Sequence, residues 1–84
     1  MARRIVVWSP TARADLRAVN REIALDILLA IDRYLNTGAG DVIKLQPPRT
    51  EFRLRFGDYR VLFRRVDEHT IEVLRVRNRK DAYR

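Results

Sequence analysis

The chain has 84 residues, enough for one domain whose fold hides about 60% of the surface of the unfolded chain. Apolar residues make up 46% and charged residues 35%, with 18 basic against 11 acidic side chains and a net charge of +7. There is no cysteine, which excludes a disulfide scaffold, a thiolate zinc site and thiol catalysis. No apolar run approaches the roughly 18 residues of a membrane span, and the apolar stretch after Arg3-Arg4 is too short for a signal peptide. We therefore expect a single domain over residues 1–84, cytoplasmic and basic.

Residues 3–8 (Arg-Arg-Ile-Val-Val-Trp) read as a short strand. Ser9-Pro10 follows as a helix start, with Ser9 as N-cap and Pro10 in the first turn. A first helix is predicted over 10–19, with Ala12, Leu16 and Val19 on one face. Asn20 caps a second helix running to about 36, with Glu22 where the helix dipole favours a carboxylate. Ile23, Ile27, Ile31 and Leu35 recur every four residues on its apolar face, and Leu28 is expected to join them. Leu25 and Leu29 widen that surface. Thr37-Gly38-Ala39-Gly40 ends the helix.

The remainder reads as strands. Residues 42–45 form a short extended piece before Gln46-Pro47-Pro48. Residues 51–56 alternate, with Phe52, Leu54 and Phe56 on one side and Glu51, Arg53 and Arg55 on the other. Gly57-Asp58 is a turn, and a strand over 59–66 follows. A second turn at Asp67-Glu68-His69-Thr70 leads to a last strand over 71–77. Its apolar residues fall on both faces, as in an inner strand covered on both sides. The order β-α-α-β-β-β implies an α+β fold, a helical hairpin packed on a small, mostly antiparallel sheet.

The charge is unevenly placed. Residues 1–43 carry 6 basic and 5 acidic side chains, whereas residues 44–84 carry 12 and 6. Codon usage would explain the preference for arginine over lysine, but not its concentration in one half. Arg53 and Arg55 point away from the apolar row, and Arg60 lies close to them across the hairpin. Arg77, Arg79 and Lys80 follow on the last strand and the tail, with Tyr83 beyond them. Cations for phosphates beside an aromatic ring for a base make a plausible RNA-binding face. A solvated sheet kept soluble by its charges is the competing reading. His69 and Trp8 read as a surface-turn residue and a core residue, and Glu51 as an ion-pair partner for an arginine. The sequence holds no phosphate-binding glycine loop and no catalytic serine triad.

The stretch 52–63 (Phe-Arg-Leu-Arg-Phe-Gly-Asp-Tyr-Arg-Val-Leu-Phe) resembles the central segment of the RelE/ParE superfamily of toxins, especially its RelE-like members. Residues 74–84 (Leu-Arg-Val-Arg-Asn-Arg-Lys-Asp-Ala-Tyr-Arg) resemble their closing segment, and the opening strand and helical hairpin also fit. The resemblance implies a ribosome-dependent mRNA endonuclease of a type II toxin–antitoxin system, paired with an acidic antitoxin. It implies a catalytic set of Arg53, Arg60, Arg79 and Tyr83, with Arg60 at the scissile phosphate and Tyr83 stacking on or orienting the substrate. Lys44, Arg55, Arg77 and Lys80 are expected to add RNA contacts. Leu25, Leu28 and Leu29 are expected to dock the antitoxin, the alternative being that they complete the core or a homodimer contact. Neither a metal nor another cofactor is expected.

Metal-free RNA cleavage needs a base for the attacking 2′-OH, positive charge on the pentavalent phosphorus and an acid for the leaving 5′-oxygen. Guanidiniums suit the second role and, being always protonated, not the first. Some relatives have lysine where Glu51 stands, and many have histidine where Asn78 stands. Tyr83 and Glu51 are therefore the candidate bases. Two other readings remain: a ParE-like inhibitor of DNA gyrase, and a basic nucleic-acid-binding member without catalysis.

Overall fold

A computed structural model describes residues 5–79. Along the chain it forms β1 (Ile5–Trp8), α1 (Pro10–Arg17), α2 (Arg21–Thr37), β2 (Asp41–Lys44), β3 (Phe52–Phe56), β4 (Tyr59–Arg65) and β5 (Thr70–Asn78). The strands form one sheet in the order β1-β5-β4-β3-β2. β2 to β5 pair antiparallel, and β1 joins the edge of β5 in parallel. This is the expected α+β architecture, except that the short extended piece before Gln46 pairs with β3 and adds a fifth strand to the expected β-α-α-β-β-β order.

The caps explain the helix boundaries. Ser9 Oγ accepts the Ala12 amide at 3.0 Å, and the proline that follows has no amide to leave unsatisfied. α1 stops at Arg17, two residues before the predicted end, because the Val19 amide tightens onto the Leu16 carbonyl at 3.1 Å and Asn20 turns extended. Asn20 then caps α2, its Oδ1 accepting the Glu22 amide at 2.9 Å. Gly38, with φ of 74°, closes α2 by donating to the Tyr34 carbonyl. The Pro47–Pro48 peptide is cis.

The core lies between the helices and one face of the sheet. Ala12 of α1 and Ile27, Ile31 and Leu35 of α2 meet Leu54, Val61, Phe63, Ile71, Val73 and Val76. Phe63 anchors it, stacked on Phe52 with ring centroids 5.5 Å apart and tilted against Tyr34 at 5.6 Å. Leu16, Val19, Ile23 and Trp8 pack around this centre as expected. Leu28 does not join Ile27 and Ile31. It lies about 100° from Ile27 around the helix, and the side chain is 38% exposed. Phe56, on the core side of β3, is also 37% exposed at the end of its hairpin.

β5 is an inner strand of the sheet, but among the described residues only one of its faces is covered. Phe63 pairs with Val73 and Leu62 with Arg75, so Leu74 is an extra residue in the ladder. This bulge changes the strand's phase. Val73 and Val76, three residues apart, both face the core, while Glu72, Arg75 and Arg77 share the other side. A break in period produced the apolar residues that suggested double coverage.

The bulge also marks where β1 ends. β1 pairs with β5 only as far as Trp8–Val73, and α1 then takes over the edge. Ser9 donates its amide to the Val73 carbonyl at 3.0 Å and its hydroxyl to the Leu74 carbonyl at 3.1 Å. The Asp15 carboxylate accepts the Val76 amide and the Arg75 Nε–H, both at 2.9 Å. At the far turn the Asp67 carboxylate accepts the His69 amide at 2.8 Å. That bond holds its carboxyl below the usual carboxylate range.

Candidate nucleic-acid interface

Alternation on β3 and β4 sends every second side chain away from the core. Gly57, with φ of 55°, and Asp58 join the two strands directly beyond the Phe56–Tyr59 pair. Only the first of the two loop residues has positive φ, the signature of a type II′ hairpin, where glycine avoids the Cβ penalty. This tight turn fixes the register, and the register aligns the arginines. Arg55 pairs with Arg60, and Arg60 pairs with Arg77. Three guanidinium side chains therefore stem from adjacent positions on three strands, with Cβ atoms of neighbours about 5 Å apart. Asp41 pairs with Arg55 at the open end of the row.

The next row places Arg53 beside Leu62, diagonal to Arg60. Arg53 is half-buried, and among the described residues its Nε has no hydrogen-bond partner. Glu51 lies two residues earlier on the same side of the strand. Its Oε2 sits 3.4 Å from Arg49 Nε, an ion pair whose geometry gives no hydrogen bond. Glu51 thus pairs with an arginine of the preceding loop rather than with one on the sheet.

Like charges directly opposite each other on a sheet destabilise it by tenths of a kcal/mol to about 1 kcal/mol. The like-charge pairs Arg55–Arg60 and Arg60–Arg77 are by themselves no source of stability. Toward the other end of the same face the charges are matched: Arg64 Nε donates to Glu72 at 2.6 Å, and Arg75 is held by Asp15. Among the described residues no helix covers this face.

The structure brings together Arg53, Arg55, Arg60 and Arg77. Arg79 follows β5 and lies beside the hairpin, its amide donating to the Asp58 carbonyl at 2.6 Å. Lys80 and Tyr83 lie outside the described residues. Lys44 is the departure. It pairs with Phe52, which puts it on the helix-side face of the edge strand and not beside the arginines. Asp41 and Arg75 went unnoticed as members of this face, because their side is set by pairing with distant strands. His69 is exposed in its turn, 3.9 Å from Glu68. Among the described residues no cluster of histidine, cysteine or carboxylate side chains could hold a metal, and no helix is long and apolar enough to cross a membrane.

On the other side of the molecule, Leu25, Leu28 and Leu29 are 51%, 38% and 65% exposed. They do not complete the core. Leu29 borders an open cleft with Ala30, Gly40, Leu54 and Phe56.

The family model of the ParE toxin of type II toxin–antitoxin systems matches residues 6–83. The chain belongs to that family, within the RelE/ParE superfamily of toxins. No curated protein is close enough in sequence to count as a relative. Among solved structures, the chain is similar to one in the RelB–RelE antitoxin–toxin complex of Methanococcus jannaschii. The TM-score is 0.74 and the identity 28%, over 92% of this chain and 94% of that one. A chain of the RelBE2 toxin–antitoxin complex of Mycobacterium tuberculosis gives a TM-score of 0.72 and 28% identity, over 92% and 99%. The YoeB dimer of Staphylococcus aureus shares the fold, with a TM-score of 0.70 and 20% identity over 88% and 94%. This protein is a type II toxin–antitoxin toxin.

Proposed function

We propose that this toxin is a ribosome-dependent mRNA endonuclease that works without a metal. The observation that carries this reading is the in-register row Arg55–Arg60–Arg77 with Arg53 diagonal to it. It is supported by the 28% identity to chains from two RelB–RelE-type complexes. The substrate's 2′-oxygen attacks the adjacent phosphorus, and the bond to the 5′-oxygen breaks. The products are a 2′,3′-cyclic phosphate and a free 5′-hydroxyl. Arg60, with Arg53 and Arg79, stabilises the negative charge on the pentavalent phosphorus, where fixed cations act most strongly. Arg55 and Arg77 hold the flanking phosphates through bidentate hydrogen bonds. The ribosome contributes by holding the message in line for attack. Glu51 and Tyr83 are the candidates to take the 2′-OH proton, since no arginine can. Lys80 extends the RNA contact along the tail. The protein acts in the cytoplasm, and its inhibitor is an acidic antitoxin whose carboxylates neutralise the arginine face.

Inhibition of DNA gyrase is the second reading, and the ParE family match favours it. One experiment separates the two. Wild type and Arg60→Ala are induced in cells, RNA 5′ ends are mapped on translated messages, and the wild-type protein is assayed against gyrase supercoiling. Cuts in frame with codons, made by wild type only, establish the endonuclease. Growth arrest without cuts, together with lost supercoiling, establishes the gyrase inhibitor.

A further inference from the structure

The exposed side of α2 carries a pattern that neither the core nor the arginine face uses. Arg21, Leu25, Leu28 and Asp32 are spaced by four, three and four residues and are all exposed. That spacing is the a/d seam of a coiled coil, a narrow stripe over about three turns, some 16 Å long. It lies beside the Ile27–Ile31–Leu35 side that faces the core, about 90° from it around the helix. A cation stands at its N-terminal end, two leucines in the middle and an anion at its C-terminal end. Among the described residues neither Arg21 nor Asp32 forms an ion pair.

This order is self-complementary under a two-fold axis. When two copies of α2 run antiparallel with the axis between Asp26 and Ile27, Leu25 meets Leu28 of the second copy and Leu28 meets its Leu25. In the same register Arg21 meets Asp32 and Asp32 meets Arg21. A two-fold interface needs such a match, because each contact occurs twice with the roles exchanged. Leu29 flanks the seam and adds apolar area on one side. We propose that this face of α2 is a homodimer interface formed by an antiparallel α2–α2 pair. The inference does not depend on whether the arginine face cuts RNA or inhibits gyrase.

The contact is small. About three turns of paired helix bury less than the roughly 1,200 Å² of stable complexes, so the dimer is weak and forms at micromolar concentrations or above. It leaves the arginine face open in both copies, since the sheet lies between that face and α2. The surface that would dock an antitoxin through these leucines is then occupied when two toxins meet.

Charge reversal tests the register. Sedimentation velocity is run on the purified protein from about 1 to 500 µM, with Arg21→Asp, Asp32→Arg, the double swap, and an equimolar mixture of the two single variants. Wild type is expected to dimerise with rising concentration. Each single reversal sets like charges opposite each other at both ends and should weaken the dimer by about tenfold or more. The double swap and the mixture restore opposite charges at both ends and should restore association. Circular dichroism on every variant separates lost pairing from lost folding. A protein that stays monomeric throughout overturns the proposal, and so does a dimer that ignores both single reversals. If the wild type stays monomeric while Leu25→Glu abolishes binding of the operon's antitoxin, the face belongs to the antitoxin.

Discussion

The two faces of the central sheet are built from the same strands and carry opposite chemistry. On β3 and β4, Leu54, Val61 and Phe63 enter the core, while Arg53, Arg55 and Arg60 alternate with them on the open side. The apolar side chains of the core and the arginines of the open face thus occupy interleaved positions in the sequence and separate surfaces in space. Substitutions one residue apart should have effects of different kinds. Damage to the buried face should remove the whole protein, whereas on the proposed function damage to the open face should remove the activity from a folded protein.

The largest stability effect is expected at the centre of the covered face. Phe63→Ala should cost about 3–5 kcal/mol, because a ring 1% exposed leaves a cavity its neighbours cannot close. Urea unfolding measures it, and a loss below 1 kcal/mol would mean that the core is misplaced. Asp15→Ala comes next, at about 1–3 kcal/mol, since it leaves the Val76 amide and the Arg75 Nε–H without their acceptor. Amide hydrogen exchange should then rise along residues 74–78 more than in β4. Ser9→Ala removes the cap of α1 and one bond to β5, and should lower the unfolding midpoint by an amount worth about 1 kcal/mol. Arg60→Ala should change stability least, by under about 1 kcal/mol, yet relieve growth inhibition. Full toxicity of a folded Arg60→Ala protein would sink the separation of the two faces.

Local pattern revealed much of this arrangement. The alternation over 51–56, the Gly57-Asp58 turn and the Ser9-Pro10 and Asn20 caps are all written within a few neighbouring residues, and each stands where expected. What stayed hidden depends on partners far along the chain. The side taken by Lys44 is set by its pairing with Phe52, and apolar neighbours in its own segment do not reveal it. Asp15 reads as one more helix carboxylate until β5, sixty residues later, is brought beside it. The bulge at Leu74 breaks the period of two on which strand reading relies. Leu28 shows the limit of a four-residue repeat, which does not fix how wide the buried stripe is. For the site, the arginines themselves were legible, but their shared row needed the register of three strands.

The strand lengths have a further consequence. The two outer strands, β1 and β2, have four residues each, while the enclosed β4 and β5 have seven and nine. The part of β5 that outruns β1 is covered by α1 through Ser9 and Asp15. Little unpaired backbone is left on which another sheet could grow, and short edges are a known defence against fibrous aggregation. A toxin separated from its antitoxin is thus less exposed to strand-by-strand association with other copies.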